Sequence, residues 1–362
     1  MLNKPLIPLY LRMSLLILGI LAFFYILHVG QNILVPLVFA LVIAILLNPA
    51  VNYMERRMHR VIAITIVVIA AAIIILGLLF FIGSQAFMLS NSFPLFNLRF
   101  NLILSDCVRW TAGAFDINPT QIELWISNAK NEWMNNTPAF IGQTLNTLSG
   151  VLIIIFLIPV YIFLFLFYKP LLLQFIAMLF LENNHETIVD ILLETKKLIQ
   201  KYLQGLLIEF VFISVLYTIA LLLLGINYAL LLGVIGGLLN LIPYIGRFIA
   251  VSLPIMLALV TKEPIFTFYI FGAYALIKFI DNNFINPMIV ASRVKINALF
   301  SIVVVLIGGA LWEIPGMFLS LPVTAIIKVV FDRITVLKPF GFLLGDSMPP
   351  IGKNIFFQQA KT

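Results

Sequence analysis

Charge is what this sequence has least of. Asp, Glu, Lys and Arg together make up 10% of its 362 residues, against about 25% in ordinary globular domains. So few charges cannot cover a water-facing surface, so much of the surface must face lipid. Cysteine is almost missing: Cys107 stands alone, which excludes an intramolecular disulfide. His28, His59 and His185 are scattered without cysteine partners, which excludes the usual zinc spacings. There is no glycine-rich phosphate loop, no zinc-protease motif and no Ser–His–Asp order. The chain is therefore expected to be neither an enzyme nor a metalloprotein, to carry no cofactor, and to have no direct ATP drive of its own. The net charge of +7 is read as a topology signal and not as a nucleic-acid signature, because the basic residues lie between apolar runs.

What is present is apolar, at 62% of the residues. Two runs, Met13 to Val29 and Ile33 to Leu47, predict an uncleaved N-terminal helical hairpin, with spans short of the ~20 residues a bilayer needs. A third span, 61–83, is free of charge. Residues 84–149 change character, with Asn, Pro, Asp, Glu and the tryptophans Trp110, Trp125 and Trp133. The spacing of Ile122, Trp125, Ile126 and Ala129 predicts a helix in a small external insert. The tryptophans either sit at the membrane surface or form a minor core. A fourth span covers 151–168. Residues 169–201 are charged and amphipathic, and predict a helix along the membrane surface or at an oligomer contact. A fifth span, 204–224, contains Glu209. The divisions are thus 1–83, 84–149, 150–203, 204–331 and a tail, 332–362.

Basic residues set the orientation. Fifteen Lys and Arg fall on the side of the N-terminus, the 48–60 loop, the 169–203 segment, the 288–298 loop and the tail, against four on the other side. This bias predicts that both termini are cytoplasmic and that 84–149 faces outward in a bacterial inner membrane.

Residues 226–331 carry a repeat. Gly236-Gly237-Leu238-Leu239-Asn240-Leu241-Ile242-Pro243 precedes Ser252-Leu253-Pro254, and Gly308-Gly309-Ala310-Leu311-Trp312-Glu313-Ile314-Pro315 precedes Ser320-Leu321-Pro322. Proline removes a backbone donor and clashes with the preceding turn, so each octet predicts a helix broken inside an apolar segment. Freed backbone groups cannot face lipid and must be buried or line a cavity. Re-entrant hairpins and pairs of thin crossings both preserve parity. Hairpins are preferred: the first begins and ends outside near Ile226 and Lys262, the second in the cytoplasm near Ala298 and Asp332. Broken helices in corresponding positions of two repeats point to a transporter's binding site.

Between the two repeats, a helix from Ile265 to about Asn286 carries Lys278, Asp281, Asn282 and Asn286 within one arc. These residues either line a path or form a cytoplasmic helix end with a Lys278–Asp281 pair. Glu313 is a candidate ion carrier or a cap for freed donors. Arg247 is a candidate for holding an anion or for pairing with an acid, and Glu209 is a candidate coupling group. The substrate or ion path is accordingly assigned to Asn240, Pro243, Gly246, Arg247, Lys278, Asp281, Asn282, Asn286, Glu313 and Pro315.

Over nearly its whole length, and most strongly from Tyr202 to Arg333, the chain resembles the autoinducer-2 exporter-like permeases. The stretches that carry the likeness are Tyr202-Leu203-Gln204-Gly205, Gly225 to Gly233, Gly237 to Gly246, Asp281-Asn282-Asn283 with Asn286-Pro287, and Gly308-Gly309-Ala310. The sequence departs from the family where Arg247 replaces a usual proline, Asn286 a frequent arginine, and Asn297-Ala298 a frequent His-Pro. The resemblance implies an all-α polytopic permease of about eight membrane segments with two broken hairpins, assembled as a homo-oligomer. It would export a small polar molecule by secondary transport, or, as some members are held to do, exchange sodium for protons. A non-transporting membrane scaffold built around the external insert is the remaining alternative. Its partners would be the lipid bilayer and a small-molecule or ion substrate, with no nucleic acid.

Overall fold

The computed structural model describes residues 8–91, 156–179, 185–285 and 296–346, with isolated positions between 102 and 113 and at 288. The predicted helix at Pro119–Met134, the three insert tryptophans, Cys107, Asn286 and Pro287 lie outside the described residues. Those described form an all-α polytopic membrane protein. An exposed peptide group cannot find a hydrogen bond in lipid, and a helix satisfies its own.

The helices are α1 (Leu9–Val29), α2 (Gln31–Glu55), α3 (Arg60–Asn91), α4 (Phe156–Phe167), α5 (Lys169–Leu179), α6 (His185–Leu223), α7 (Ala229–Asn240), α8 (Ile245–Thr261), α9 (Ile265–Ile280), α10 (Ala298–Arg333) and α11 (Lys338–Leu344). Six are long and apolar enough to cross a bilayer. The pair α4 and α5, bent by 63° at Tyr168, makes a seventh, and α7 and α8 are shorter apolar helices.

Several boundaries differ from those read off the sequence. The first two helices have 21 and 25 residues, so no membrane thinning is needed. They extend past the apolar runs through Leu9–Arg12 and Asn48–Glu55, whose polar side chains suit the interface. The third continues past Gly83 to Asn91. The single helix expected over 169–201 is divided: α5 ends at Leu179, and from His185 a helix of 39 residues runs through the charged segment into the fifth span. Nothing between Lys201 and Glu209 breaks the helix, and the stripe Ile199, Tyr202, Leu203 and Leu206 is buried against α2 and α10. Protein covers that stripe from Ile199 onward, whereas Val189 and Leu193 nearer the start of the helix are exposed.

Three cores hold the bundle. The first joins Ala40 and Ala44 of α2, Ile64 and Val68 of α3, and Ile162 and Leu166 of α4. The second joins Ile213, Tyr217 and Leu221 of α6, Leu232 of α7, Ala258 of α8, and Ile270 and Tyr274 of α9. The third joins Val42 of α2, Leu203 and Leu206 of α6, and Leu319 of α10. Outside these cores, large side chains such as Phe80, Leu223, Phe248 and Phe268 are exposed, which suits contact with lipid.

Both repeated octets mark breaks. The first separates α7 from α8 at residues 241–244, with Tyr244 at φ 65°. The second lies inside α10, where Trp312 and Glu313 leave helical geometry and Glu313 has φ 52°. A Cβ on Gly308 would meet the backbone of Gly316 and the Ser320 side chain. Twelve residues of continuous helix would hold positions 308 and 320 about 18 Å apart, so α10 folds back on itself as a hairpin. The Ser-Leu-Pro motifs also match: Ser252 and Ser320 each donate to the carbonyl three residues earlier, and Pro254 and Pro322 are both fully buried.

The hairpins begin at opposite ends of α6. The first follows directly on Leu223. The base of the second is tied to the start of α6, where Arg333 donates to Asp190 at 3.3 Å and to Glu194 at 2.6 Å. The tip of the second reaches the far end of α1: Trp312 Nε1 donates to the Leu27 carbonyl at 2.9 Å, and His28 Nδ1 meets the Leu311 carbonyl at 3.0 Å.

The hairpin turns predict opposite outcomes for one kind of substitution. At Gly246 a Cβ would run into the Leu239 backbone, whereas at Gly272 nothing lies within 4 Å. Gly246→Ala is expected to cost about 1–3 kcal/mol, as overpacked sites do. Gly272→Ala, in a helix interior, is expected to be neutral or stabilising by up to about 1 kcal/mol. Thermal unfolding of the two purified variants in detergent checks this, and equal melting temperatures would count against the tight turn.

Candidate functional site

The first break brings polar and charged residues together from four helices. Gly233, Gly236 and Gly237 let α7 lie against α6, where added Cβ atoms would strike Thr218, Tyr217 and Ser214 respectively. That contact sets the register of the two helices, and one turn further on Asn240 meets Glu209. Asn240 Nδ2 donates to Glu209 Oε1 at 2.9 Å, with both residues buried.

From α9, Lys278 pairs with Asp281, which is 0% exposed. The helix widens into a π-turn at Asp281–Ile285, a distortion frequent at functional sites. Arg247, at the start of α8, has a buried Nε without a hydrogen-bond partner. Glu209 lies within electrostatic range of Asp281, Lys278 and Arg247. The group thus holds two carboxylates and two cations, with Asn240 bonded to one of the carboxylates.

Helix lengths give the depth. Asn240 ends a descent of 12 residues along α7, about 18 Å, and Asp281 follows 16 residues of α9, about 24 Å from the same end. Glu209 lies 14 residues before Leu223, or about 21 Å. Against a hydrocarbon core of ~30 Å, Asn240 and Glu209 fall within the length of a span, and Asp281 falls toward its far end.

Charges at that depth cost at least about 2.5 kcal/mol each unless they face protein or a polar cavity. Here they face protein, yet part of their bonding capacity is unused: Asn240 Oδ1, Asp281 Oδ1, Arg247 Nε, Ser214 Oγ and the Tyr274 hydroxyl are buried without hydrogen-bond partners. Tyr274 stacks on Tyr217 at 4.1 Å with the rings 10° apart, and Tyr217 lies within electrostatic range of Asp281, Arg247 and Glu209. The site therefore offers hydrogen-bond donors, acceptors and both signs of charge beside an aromatic wall.

Of the residues singled out from the sequence, Glu209, Asn240, Arg247, Lys278 and Asp281 are brought together. Pro243 lies in the turn, where its carbonyl accepts from the Ile245 amide at 2.8 Å, and buried Gly246 closes it. Asn282 is exposed on the π-turn. The electrostatic neighbours of Glu209 do not include Glu313, which is exposed at the second tip with Pro315 just beyond it. A positive φ at Glu313 turns the chain there, and its neighbour Trp312 anchors the tip to α1. Ser214, Tyr217 and Tyr274 escaped the sequence reading. Each sits in an unbroken apolar helix and looks like ordinary core until α7 packs beside it.

Removing half of the ion pair should be worse than removing all of it. Asp281→Ala leaves the Lys278 ammonium without its partner and is expected to cost about 3–5 kcal/mol. Replacing both, Lys278→Met with Asp281→Leu, should recover most of that loss. Detergent melting curves of the single and double variants test this; a double variant no more stable than the single one would mean that the pair is not the main partner of either group.

Comparison with known proteins adds the family. A family model described as "AI-2E family transporter" matches residues 14–335. The chain is 24% identical over 322 residues to the Bacillus subtilis protein named "Putative transport protein YueF", covering 83% of each chain. It is 25% identical over 354 residues to the "AI-2 transport protein TqsA" of Escherichia coli, covering 95% of this chain and 98% of that one. The "Putative permease PerM" of Escherichia coli is 27% identical over 321 residues, covering 86% of this chain and 88% of that one. With hairpins, breaks and polar cluster lying inside the matched 14–335 region, the chain belongs to the AI-2E family of transporters.

Proposed function

We propose that this membrane transporter is a secondary exporter of a small polar molecule, working by alternating access at the cluster of Glu209, Asn240, Arg247, Lys278 and Asp281. The observation that carries the reading is the set of buried, unpartnered polar atoms around the first break. A scaffold would gain stability by replacing such groups with apolar ones; a binding site needs them. In this reading Arg247 and Lys278 hold anionic or acceptor groups of the substrate, Glu209 and Asp281 hold its donors or a coupling cation, and Tyr217 and Tyr274 supply a flat contact face.

The two hairpins support the cycle. They start from opposite ends of α6, and Leu241 of the first break packs against the core that holds Leu319 on the return arm of the second hairpin. Rocking either hairpin about α6 would open the cluster to one side at a time. The transporter would sit in a bacterial inner membrane with both termini in the cytoplasm, residues 84–149 outside and the 332–362 tail inside, as a homo-oligomer. One relative is named for transport of AI-2; for this chain the reading extends to the class of small polar solutes. Arg247, where the family usually has proline, alters the contact surface.

A sodium/proton antiporter is the second reading. The two carboxylates within range of each other, with Asn240 Oδ1 and Asp281 Oδ1 free to accept, favour it. It predicts that a sodium gradient across proteoliposomes drives proton flux, and that Asp281→Asn abolishes that flux. Under the exporter reading, a sodium gradient alone moves no protons.

Water access decides the mechanism. Single cysteines at Asn240, Arg247, Asn282 and Glu313 in a Cys107→Ser background would be labelled from each side of sealed vesicles. Alternating access requires Asn240 and Arg247 to be reached from either side, in proportions that change with a sodium or pH gradient. One-sided labelling that ignores every gradient would remove alternating access at this cluster.

A further inference from the structure

A second polar site lies apart from the cluster, where α2 ends, α3 begins and α4 bends into α5. A cavity of about 190 Å³ opens there, lined by Asn48, Asn52, Glu55, Arg60, Lys169 and Leu173, among others. A water fills about 30 Å³ of liquid, and drug-sized pockets start at about 300 Å³. The space therefore suits a group of several heavy atoms.

Its lining favours an anion. Lys169 Nζ donates to Asn48 Oδ1 at 2.9 Å, which leaves two ammonium protons for another acceptor. Asn48 is 5% exposed, yet its Nδ2 is buried without a hydrogen-bond partner. Arg60 is held in place: its Nη2 donates to the Leu166 and Phe167 carbonyls at 2.9 Å each, and its Nε lies 3.5 Å from Glu55 Oε1. Two cations thus face one carboxylate, and Lys196 of α6 lies within electrostatic range of Lys169. Donors are in excess, and part of that excess is buried.

The surroundings are those of a bilayer interface. Arg56 and Arg57 are exposed on the adjoining loop. Leu173, which lines the cavity, is exposed, as are Leu171 and Phe175 on the same helix, α5, and Tyr53, next to the lining residue Asn52 on α2, as acyl chains running down from a headgroup would require. Basic pockets between membrane helices are known to take anionic headgroups.

We propose that this notch binds the phosphate of an anionic phospholipid, with Lys169 Nζ and Asn48 Nδ2 as its donors and the acyl chains along α5. Bound there, the lipid would brace the bend at Tyr168 and tie the three-helix core to the start of α6. The site is independent of the transport cluster.

The test uses the full purified chain in a neutral detergent, melted with added phosphatidylglycerol, phosphatidylcholine or inorganic phosphate. Phosphatidylglycerol is expected to raise Tm more than phosphatidylcholine does, and inorganic phosphate is expected to do little. In Lys169→Gln the lipid should bind about tenfold or more weakly, the loss expected for a charge-assisted hydrogen bond. Asn48→Asp, which keeps a partner for Lys169 while putting a carboxylate at the phosphate position, should lose the preference as well. Equal stabilisation of the unmodified protein by both lipids would overturn the proposal whether or not the variants fold, as would an undiminished preference for phosphatidylglycerol in both variants. Protection by inorganic phosphate equal to that by phosphatidylglycerol would overturn the lipid as the source.

Discussion

A peptide group inside a bilayer has no water to turn to, and a helix that breaks there must find other partners for the groups it frees. At the first break the chain supplies them itself. The Leu241 and Ile242 amides donate to Leu238 and Leu239, and the Ile245 and Gly246 amides to Pro243 and Ile242. So tight a turn leaves no room for a side chain at Gly246. It also presses Tyr244 into positive φ, a strain of order 1–3 kcal/mol that persists only where surrounding packing enforces it. The packing that enforces it is α7 on α6, and the same contact delivers Asn240 to Glu209. Satisfying the backbone and building the polar cluster are thus one event.

The two octets share five of their eight residues but not a contact. In the first, the glycine pair faces another helix, α6, and the break is a four-residue turn. In the second, the pair faces its own return arm at Gly316 and Met317, and the break takes two residues. Paired glycines provide close approach in both, but the partner depends on what lies alongside. Asn240 and Trp312 hold equivalent octet positions, one bonding a carboxylate in the interior, the other a carbonyl at the end of α1.

Departures from the family pattern also acquire physical roles. Asn297 accepts from the Phe300 amide as the N-cap of α10, and its side-chain amide donates to the Leu343 and Gly345 carbonyls. It thereby ties the start of the second hairpin to α11. Arg247, in place of a ring without a donor, brings a guanidinium to the edge of the cluster. The first change supports the fold, and the second adds a positive charge to the cluster.

Scarcity of charge, the apolar runs and the Gly-Gly and proline spacing were enough to determine a polytopic helical protein, its two breaks, and the candidates Glu209, Asn240, Arg247, Lys278 and Asp281. These are local properties: hydropathy and proline act through a residue's own segment. What the sequence left open depends on contacts between segments. Whether 185–203 lies on the membrane or continues α6 turns on the α2 and α10 faces that bury its stripe. Whether Glu313 joins the cluster or marks the second tip turns on how far that hairpin reaches along α1. Ser214, Tyr217 and Tyr274 look like core until α7 is placed beside α6, and the basic notch at Lys169 exists only because α4 bends where Arg60 can reach its carbonyls. Only the tertiary structure could decide these, because each depends on groups far apart in the chain whose meeting no local property of a segment specifies.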